Sequence, residues 1–280
     1  MSKHRMSKRN RVVAWAAAGV VLAAGGAVTA NAVTGTASTA KLPAPSLYAG
    51  RAFDTCTAPS LATMKAWKAS KFYGAAAVYI GGKNRGCAQP QLTASWVRSV
   101  SASGWKLVPL YVAAQPPCQT SRNTDRIVAS TAAAQGTRDG NDAVAKASAL
   151  KMTAGSALYL DMEPYDTANA SCNTAVLTYV RAWTRAVHAK KYWSGYYGFT
   201  SSSAAAVATA KSRTDLPDAL WYALWDKKKT TTTDWRWSTS LYTGHRRAHQ
   251  YIANSKEIHG GVTLTVDRNA WDAPVAVIAK

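Results

Sequence analysis

Residues 156–164 (SALYLDMEP) place two carboxylates two positions apart at the end of an apolar run. On a strand, successive side chains point to opposite faces. Leu158, Leu160 and Met162 then share one apolar face, and Tyr159, Asp161 and Glu163 share the other. Pro164 biases Glu163 toward an extended backbone and stops the strand. The chain has 14 acidic residues against 34 basic ones, and its only glutamates are Glu163 and Glu257. Acids this scarce, at the end of an apolar strand, point to a functional pair; the competing reading is a solvated strand end. More acids recur at comparable places: Asp54 near the end of a first strand, Asp226 after a sixth and Asp267 at the end of an eighth.

Convergent carboxylates suit glycoside hydrolysis. One must stay protonated to donate to the leaving oxygen, and another must be ionised to stabilise positive charge at the sugar carbon. Close negative neighbours raise the pKa of one member. Glu163, read as the deeper of the pair, is the expected proton donor. Asp161 would sit about 6–7 Å away at the Cα level, a separation suited to orienting or stabilising the substrate's own 2-acetamido group. Trp221, Trp225, Trp235 and Trp237 cluster around the sixth strand and its loop. They read either as a wall on which sugars stack or as ordinary packing. His245, His249 and His259 have no Ser or Cys nucleophile motif beside them, which argues against a hydrolase triad. The cysteines show no CxxC spacing and the glycines no dinucleotide or Walker pattern, so neither a metal nor a cofactor is expected.

The elements that must position these groups alternate along the chain. Strand patterns fall at residues 51–56, 75–80, 105–112, 156–163, 192–198, 219–225, 247–252 and 262–267. Helical patterns fall at 60–70, 92–103, 139–153, 173–191 and 203–210, with Ser60 an N-cap and Gly104 a C-cap. A polar loop spans 115–136. Eight short strands with helices between the first six imply an α/β fold with a parallel sheet and right-handed crossovers. The expected fold is a (β/α)8 TIM-like barrel, a single domain over residues 49–280. An open doubly wound sheet is the alternative. In a barrel the acids would meet at the C-terminal face of the strands, where active sites of this fold lie. In the last strand Thr263, Thr265 and Asp267 would point inward.

Residues 1–32 carry Lys3, Arg5, Lys8, Arg9 and Arg11, then an apolar stretch and a small-x-small site at 30–32. This reads as a secretory signal peptide, with an uncleaved anchor as the alternative, and residues 33–48 read as a flexible lead-in. Cleavage would remove those five cations and no acid, taking the net charge from +20 to +15. The mature chain is then expected outside the cell, wall-associated and monomeric, with no stable membrane span. Its charge suits an anionic envelope polymer; nucleic acid would be bound only nonspecifically. In an oxidising compartment Cys56, Cys87, Cys118 and Cys172 form two disulfides, for which sequence permits three connectivities.

Asp161, Met162 and Glu163 after an apolar strand, with Asp54 on the first strand, resemble the glycoside hydrolase family 25 lysozymes. His249, Gln250 and Tyr251 followed by Val266, Asp267, Arg268 and Asn269 resemble that family's closing pattern. Residues 53–56 (FDTC), 79–82 (YIGG) and 160–163 (LDME) are more similar to a secreted actinobacterial glycoside-hydrolase-like family, the domain of unknown function 1906. The resemblance implies a barrel acting on peptidoglycan or a related cell-wall glycan. It makes Glu163 the acid/base, Asp161 its partner and Asp54 a further catalytic-site acid. Asp226, Asp267, Gln250, Tyr111 and Tyr197 become substrate-site groups, with Trp225 as a stacking platform. Pairing across adjacent loops on one barrel face then predicts Cys56–Cys87 and Cys118–Cys172. A glycan-binding barrel without turnover and a basic structural protein of the envelope are the competing functions.

Overall fold

The computed structural model describes residues 41–121, 123–232 and 234–279; the expected signal peptide lies outside them, as does the first half of the expected lead-in. Strands β1 (Ser46–Asp54), β2 (Ala75–Gly81), β3 (Lys106–Val112), β4 (Ala157–Asp161), β5 (Trp193–Phe199), β6 (Ala219–Ala223), β7 (Arg247–His259) and β8 (Val262–Val275) close in sequence order into a barrel. Helices α1 (Leu61–Ala69), α2 (Ala94–Ala102), α3 (Ala132–Ala149), α4 (Ala170–Ala189) and α5 (Ser203–Ala208) separate the first six strands. No helix among the described residues is long and apolar enough to cross a membrane.

Alternation builds two cores. Ala52, Ala77, Leu110, Tyr159, Trp221 and Trp271 fill the barrel interior, while Phe53, Val78, Leu160, Val180 and Trp183 pack between barrel and helices. Alanines on β1, β2, β4, β6 and β7 leave room for the interior rings. Tyr159 lies edge-on to Trp221 and Trp271, and Tyr197 meets Trp221 at 4.7 Å between centroids. Trp221 is therefore an interior core residue. Trp235 and Trp237 pack on Tyr222 outside the barrel wall.

Ser60 caps α1 by accepting from the Thr63 N–H, and Gly104 follows α2 with φ near 90°. Several features depart from the sequence reading; β7 and β8 run on to His259 and Val275, past the expected ends at residues 252 and 267. β1 begins at Ser46, inside the stretch read as lead-in, because residues 46–48 pair with β8. α3 begins at Ala132 rather than at residue 139. Gly136 and Gly140 weaken the helical pattern there, yet they let α3 lie against α4: a Cβ on Gly136 would stand 2.3 Å from the Tyr179 carbonyl oxygen. Finally, β8 is antiparallel to both β7 and β1, so a hairpin, and not a βα unit, closes the barrel. Thr263 and Thr265 consequently lie exposed on the outlying part of that hairpin, not inside the barrel.

Candidate active site at the mouth of the barrel

The uppermost interior layer of the barrel is polar. Asp54 ends β1 and Asp161 ends β4, and the two are 2% and 4% exposed. β8 runs against β1 with Asp54 opposite Asp267, which brings a residue from the middle of a strand to the same mouth. Gln250 on β7 binds these acids together. Its Nε2 donates to Asp54 at 3.2–3.3 Å and to Asp267 at 3.2 Å. Its Oε1 accepts from the Tyr197 hydroxyl and from Trp225 Nε1, each at 2.9 Å. The side-chain amide is saturated and buried, so Gln250 positions the acids and is not an open substrate contact. Asn269 adds a 2.7 Å bond to Asp54 and is itself held by Trp221 Nε1 at 2.7 Å.

The chain beyond β4 is fixed by its neighbours. Gln115, fully buried, accepts from the Glu163 N–H and donates to the Asp161 carbonyl, both at 2.9 Å. Met162 donates to the Tyr197 carbonyl and accepts from the Ser203 hydroxyl. Because β4 stops at Asp161, Glu163 lies past the strand and is only half-buried, and Asp161 is the deeper acid, reversing the depth expected from sequence. Asp161 and Glu163 line a groove of about 470 Å³ with Tyr79, Val112, Asn84 and the loop around Gln119 and Ser121.

Burial pushes the Asp161 carboxyl well above the usual range, and the Glu163 and Asp54 charges push it further. Burial, then Asp267, does the same to Asp54, against opposing hydrogen bonds from Asn269 and Gln250. Glu163 is raised by burial. Asp267 is raised by burial and partly held down by the Asn254 N–H, at 2.7 Å. Such an acid set keeps its protons to higher pH than free carboxyls do, as a general acid must. Among the described residues no group of three or more His, Cys, Asp or Glu is arranged to hold a metal ion.

Of the residues singled out in the sequence, Asp54, Asp161, Glu163, Asp267, Gln250 and Tyr197 meet at this mouth. Trp225 stands at its rim, 54% exposed and edge-on to Phe199. Asp226 and Tyr111 stand elsewhere. Asp226 turns to the buried His249 at 3.8 Å and accepts from the Lys228 N–H, in the β6–β7 connection. Tyr111 has the outward parity of β3; it donates to Asp142 of α3 at 2.7 Å and packs on Trp183. Tyr79, Gln115 and Asn269 belong to the site although sequence singled out none of them for it. Tyr79 could have been found: it shares its face of β2 with Ala75 and Ala77, and the charges of Asp54, Asp161, Asp267 and Glu163 all reach its hydroxyl. The disulfides are Cys56–Cys87 and Cys118–Cys172, as the loop arrangement predicts.

Known proteins share this architecture. An uncharacterized protein of B. stearothermophilus matches with a TM-score of 0.54 at 16% identity, over 80% of this chain and 96% of that one. The Tat-secreted protein Rv2525c of Mycobacterium tuberculosis matches with a TM-score of 0.52 at 18% identity, over 80% and 96%. The modular autolysin LytC of Streptococcus pneumoniae matches with a TM-score of 0.50 at 14% identity, over 80% of this chain and 47% of that one. No curated protein matches the chain by sequence. The family model described as the Rv2525c-like, glycoside hydrolase-like domain matches residues 65–271, which is most of the chain, and the protein belongs to that family.

Proposed function

We propose that this protein acts outside the cell on peptidoglycan or a related cell-wall glycan, by acid/base chemistry of the Asp161–Glu163 pair. The observation that carries the reading is the groove itself: two acids with raised pKa, one buried and one open to solvent, lie side by side in a cleft of sugar-accommodating size. Glu163 has access to a bound glycosidic oxygen and serves as proton donor. Asp161 takes the positive charge that develops at the sugar ring or on its 2-substituent. Asp54 and Asp267, clamped by Gln250, lie behind them. Trp225 offers an exposed ring face at the rim for a sugar to stack on. The basic surface brings the protein to an anionic wall, and the two disulfides suit an oxidising compartment.

Incubation with purified cell walls, read by zymography and reducing-sugar release, tests the reading. Glu163→Gln is expected to lower turnover by about 10²-fold or more, the scale of a lost general acid. Equal traces from wild type and variant would sink the enzymatic claim. Retention on insoluble walls through a salt series, without cleavage, would then assign the groove to glycan binding, since simple charge attraction is screened by salt.

A further inference from the structure

The groove inverts the charge of the molecule that contains it. The chain carries 34 lysines and arginines against 14 acids, yet Asp161 and Glu163 line the groove with no lysine, arginine or histidine among its described lining residues. The titratable groups that face Asp161 from the surrounding elements are acids and phenols. They are Asp54 from β1, Tyr79 from β2, Glu163 just past β4 and Tyr197 from β5, with Asp267 of β8 behind Asp54. The amide of Gln115, which meets the Asp161 carbonyl and the Glu163 N–H, is spent on backbone groups.

Asp161 itself is 4% exposed, and its buried Oδ1 has no hydrogen-bond partner among the described residues. A buried carboxylate oxygen lacking a donor is costly, and this one, unlike the other buried polar atoms without a partner, belongs to a residue that lines the groove. A neutral N–H would satisfy the oxygen and leave the accumulated charge uncompensated. A bare metal ion finds no arranged ligand set here. A cation that carries its own N–H donors answers both deficits.

We propose that the groove selects glycans bearing a free, protonated amine, that is, de-N-acetylated amino sugars, with the ammonium donating to Asp161 Oδ1 beside Glu163. This rests on the reading of the groove as a cell-wall glycan site and narrows its substrate class. The uncharged side chains of Asn84, Thr120 and Ser121 on the rim suit sugar hydroxyls, while Gln119 is held by the Arg126 guanidinium, whose Nη1 donates to its Oε1 at 2.6 Å. The overall charge makes the proposal discriminating. An anionic polymer can be held anywhere over a basic surface, whereas a cationic glycan is repelled by that surface and binds at the groove or not at all.

The test is titration calorimetry of the full chain with glucosamine oligosaccharides of matched length, one fully N-acetylated and one with free amines. The free-amine ligand is expected to bind at least about tenfold more tightly. Its advantage should disappear at alkaline pH, where the amine loses its proton and with it the charge that the acids answer. Folded Asp161→Asn should lose this preference, the two ligands then binding alike. Should the variant not fold, the wild-type comparison decides alone. Equal or tighter binding of the acetylated ligand overturns the amine proposal and leaves the glycan reading standing. Binding of neither ligand overturns both. An unchanged preference in folded Asp161→Asn removes Asp161 as the amine's partner.

Discussion

At the scale of single residues, Asp161 is where the fold gives up stability for chemistry. Its carboxyl is held above its unfolded value, so between the two values the folded chain binds more protons than the unfolded one. Stability therefore falls as pH rises through that window: the cost is absent below the unfolded value of about 3.9 and complete above the folded one. Asp161→Asn is expected to stabilise the protein by about 0.5–2 kcal/mol at neutral pH. The gain should vanish toward about pH 4 in urea unfolding, where wild type is protonated as well. Gln250 should behave in the opposite way. Gln250→Leu leaves Tyr197 and Trp225 without their acceptor and Asp54 and Asp267 without their shared donor. A loss of about 1–3 kcal/mol is expected, measured by the same unfolding experiment. The scarcity of acids and their place at the ends of apolar runs exposed Asp161, Glu163 and Asp54 in the sequence, because both are legible without knowing the fold. Gln115 was hidden, because a glutamine in a polar loop carries no sign that its amide will be spent on the backbone of another strand end.

At the scale of elements, the groove depends on how β2 is finished. The β2–β3 register shifts between Tyr79 and Gly81, and Gly82 follows with φ near 98°. A Cβ on Gly82 would stand 1.8 Å from the Val112 carbonyl oxygen, so only glycine allows this loop to fold over the end of β3. Asn84 then ties the loop to the carbonyls of Ala113 and Asp125, each at 2.8 Å. Gly82→Ala is expected to destabilise by about 1–3 kcal/mol and to raise hydrogen exchange at residues 81–86 more than in the barrel strands. Periodicity in the sequence located the strands well, since burial on one face is written into each strand. It could not supply the direction of β8. An apolar alternation reads the same along either sense, and only its pairing with β1 distinguishes them. α3 was shortened in the sequence reading for a related reason: its first turns are stabilised by contact with α4 more than by their own residues.

At the scale of the whole molecule, the two disulfides tie together loops on the face that carries the groove. Cys56–Cys87 joins the segments after β1 and β2 and closes a separation of 31 residues. Cys118–Cys172 joins the loop after β3 to the first turn of α4 and closes a separation of 54. Separations of this size correspond to about 3–4 kcal/mol each in the chain-entropy model. Replacing either pair by serines is expected to lower the unfolding free energy by a comparable amount, checked in denaturant under non-reducing conditions. Loss of Cys118–Cys172 should also reduce glycan turnover more than loss of Cys56–Cys87, because the loop around Gln119 and Ser121 lines the groove.

The hairpin that closes the barrel also sets when the site can exist. Asp54 emerges early from the ribosome, but its donor Asn269 lies 215 residues later and its donor Gln250 lies 196 residues later. Contacts that distant form late, after nearer ones have reduced the entropy of bringing them together. Until β7 and β8 arrive, Asp54 is a lone strand-end acid with no reason to stay buried. The cluster of Asp54, Asp267, Gln250 and Asn269 and the closure of the barrel are thus one folding event, and a partly made chain carries neither.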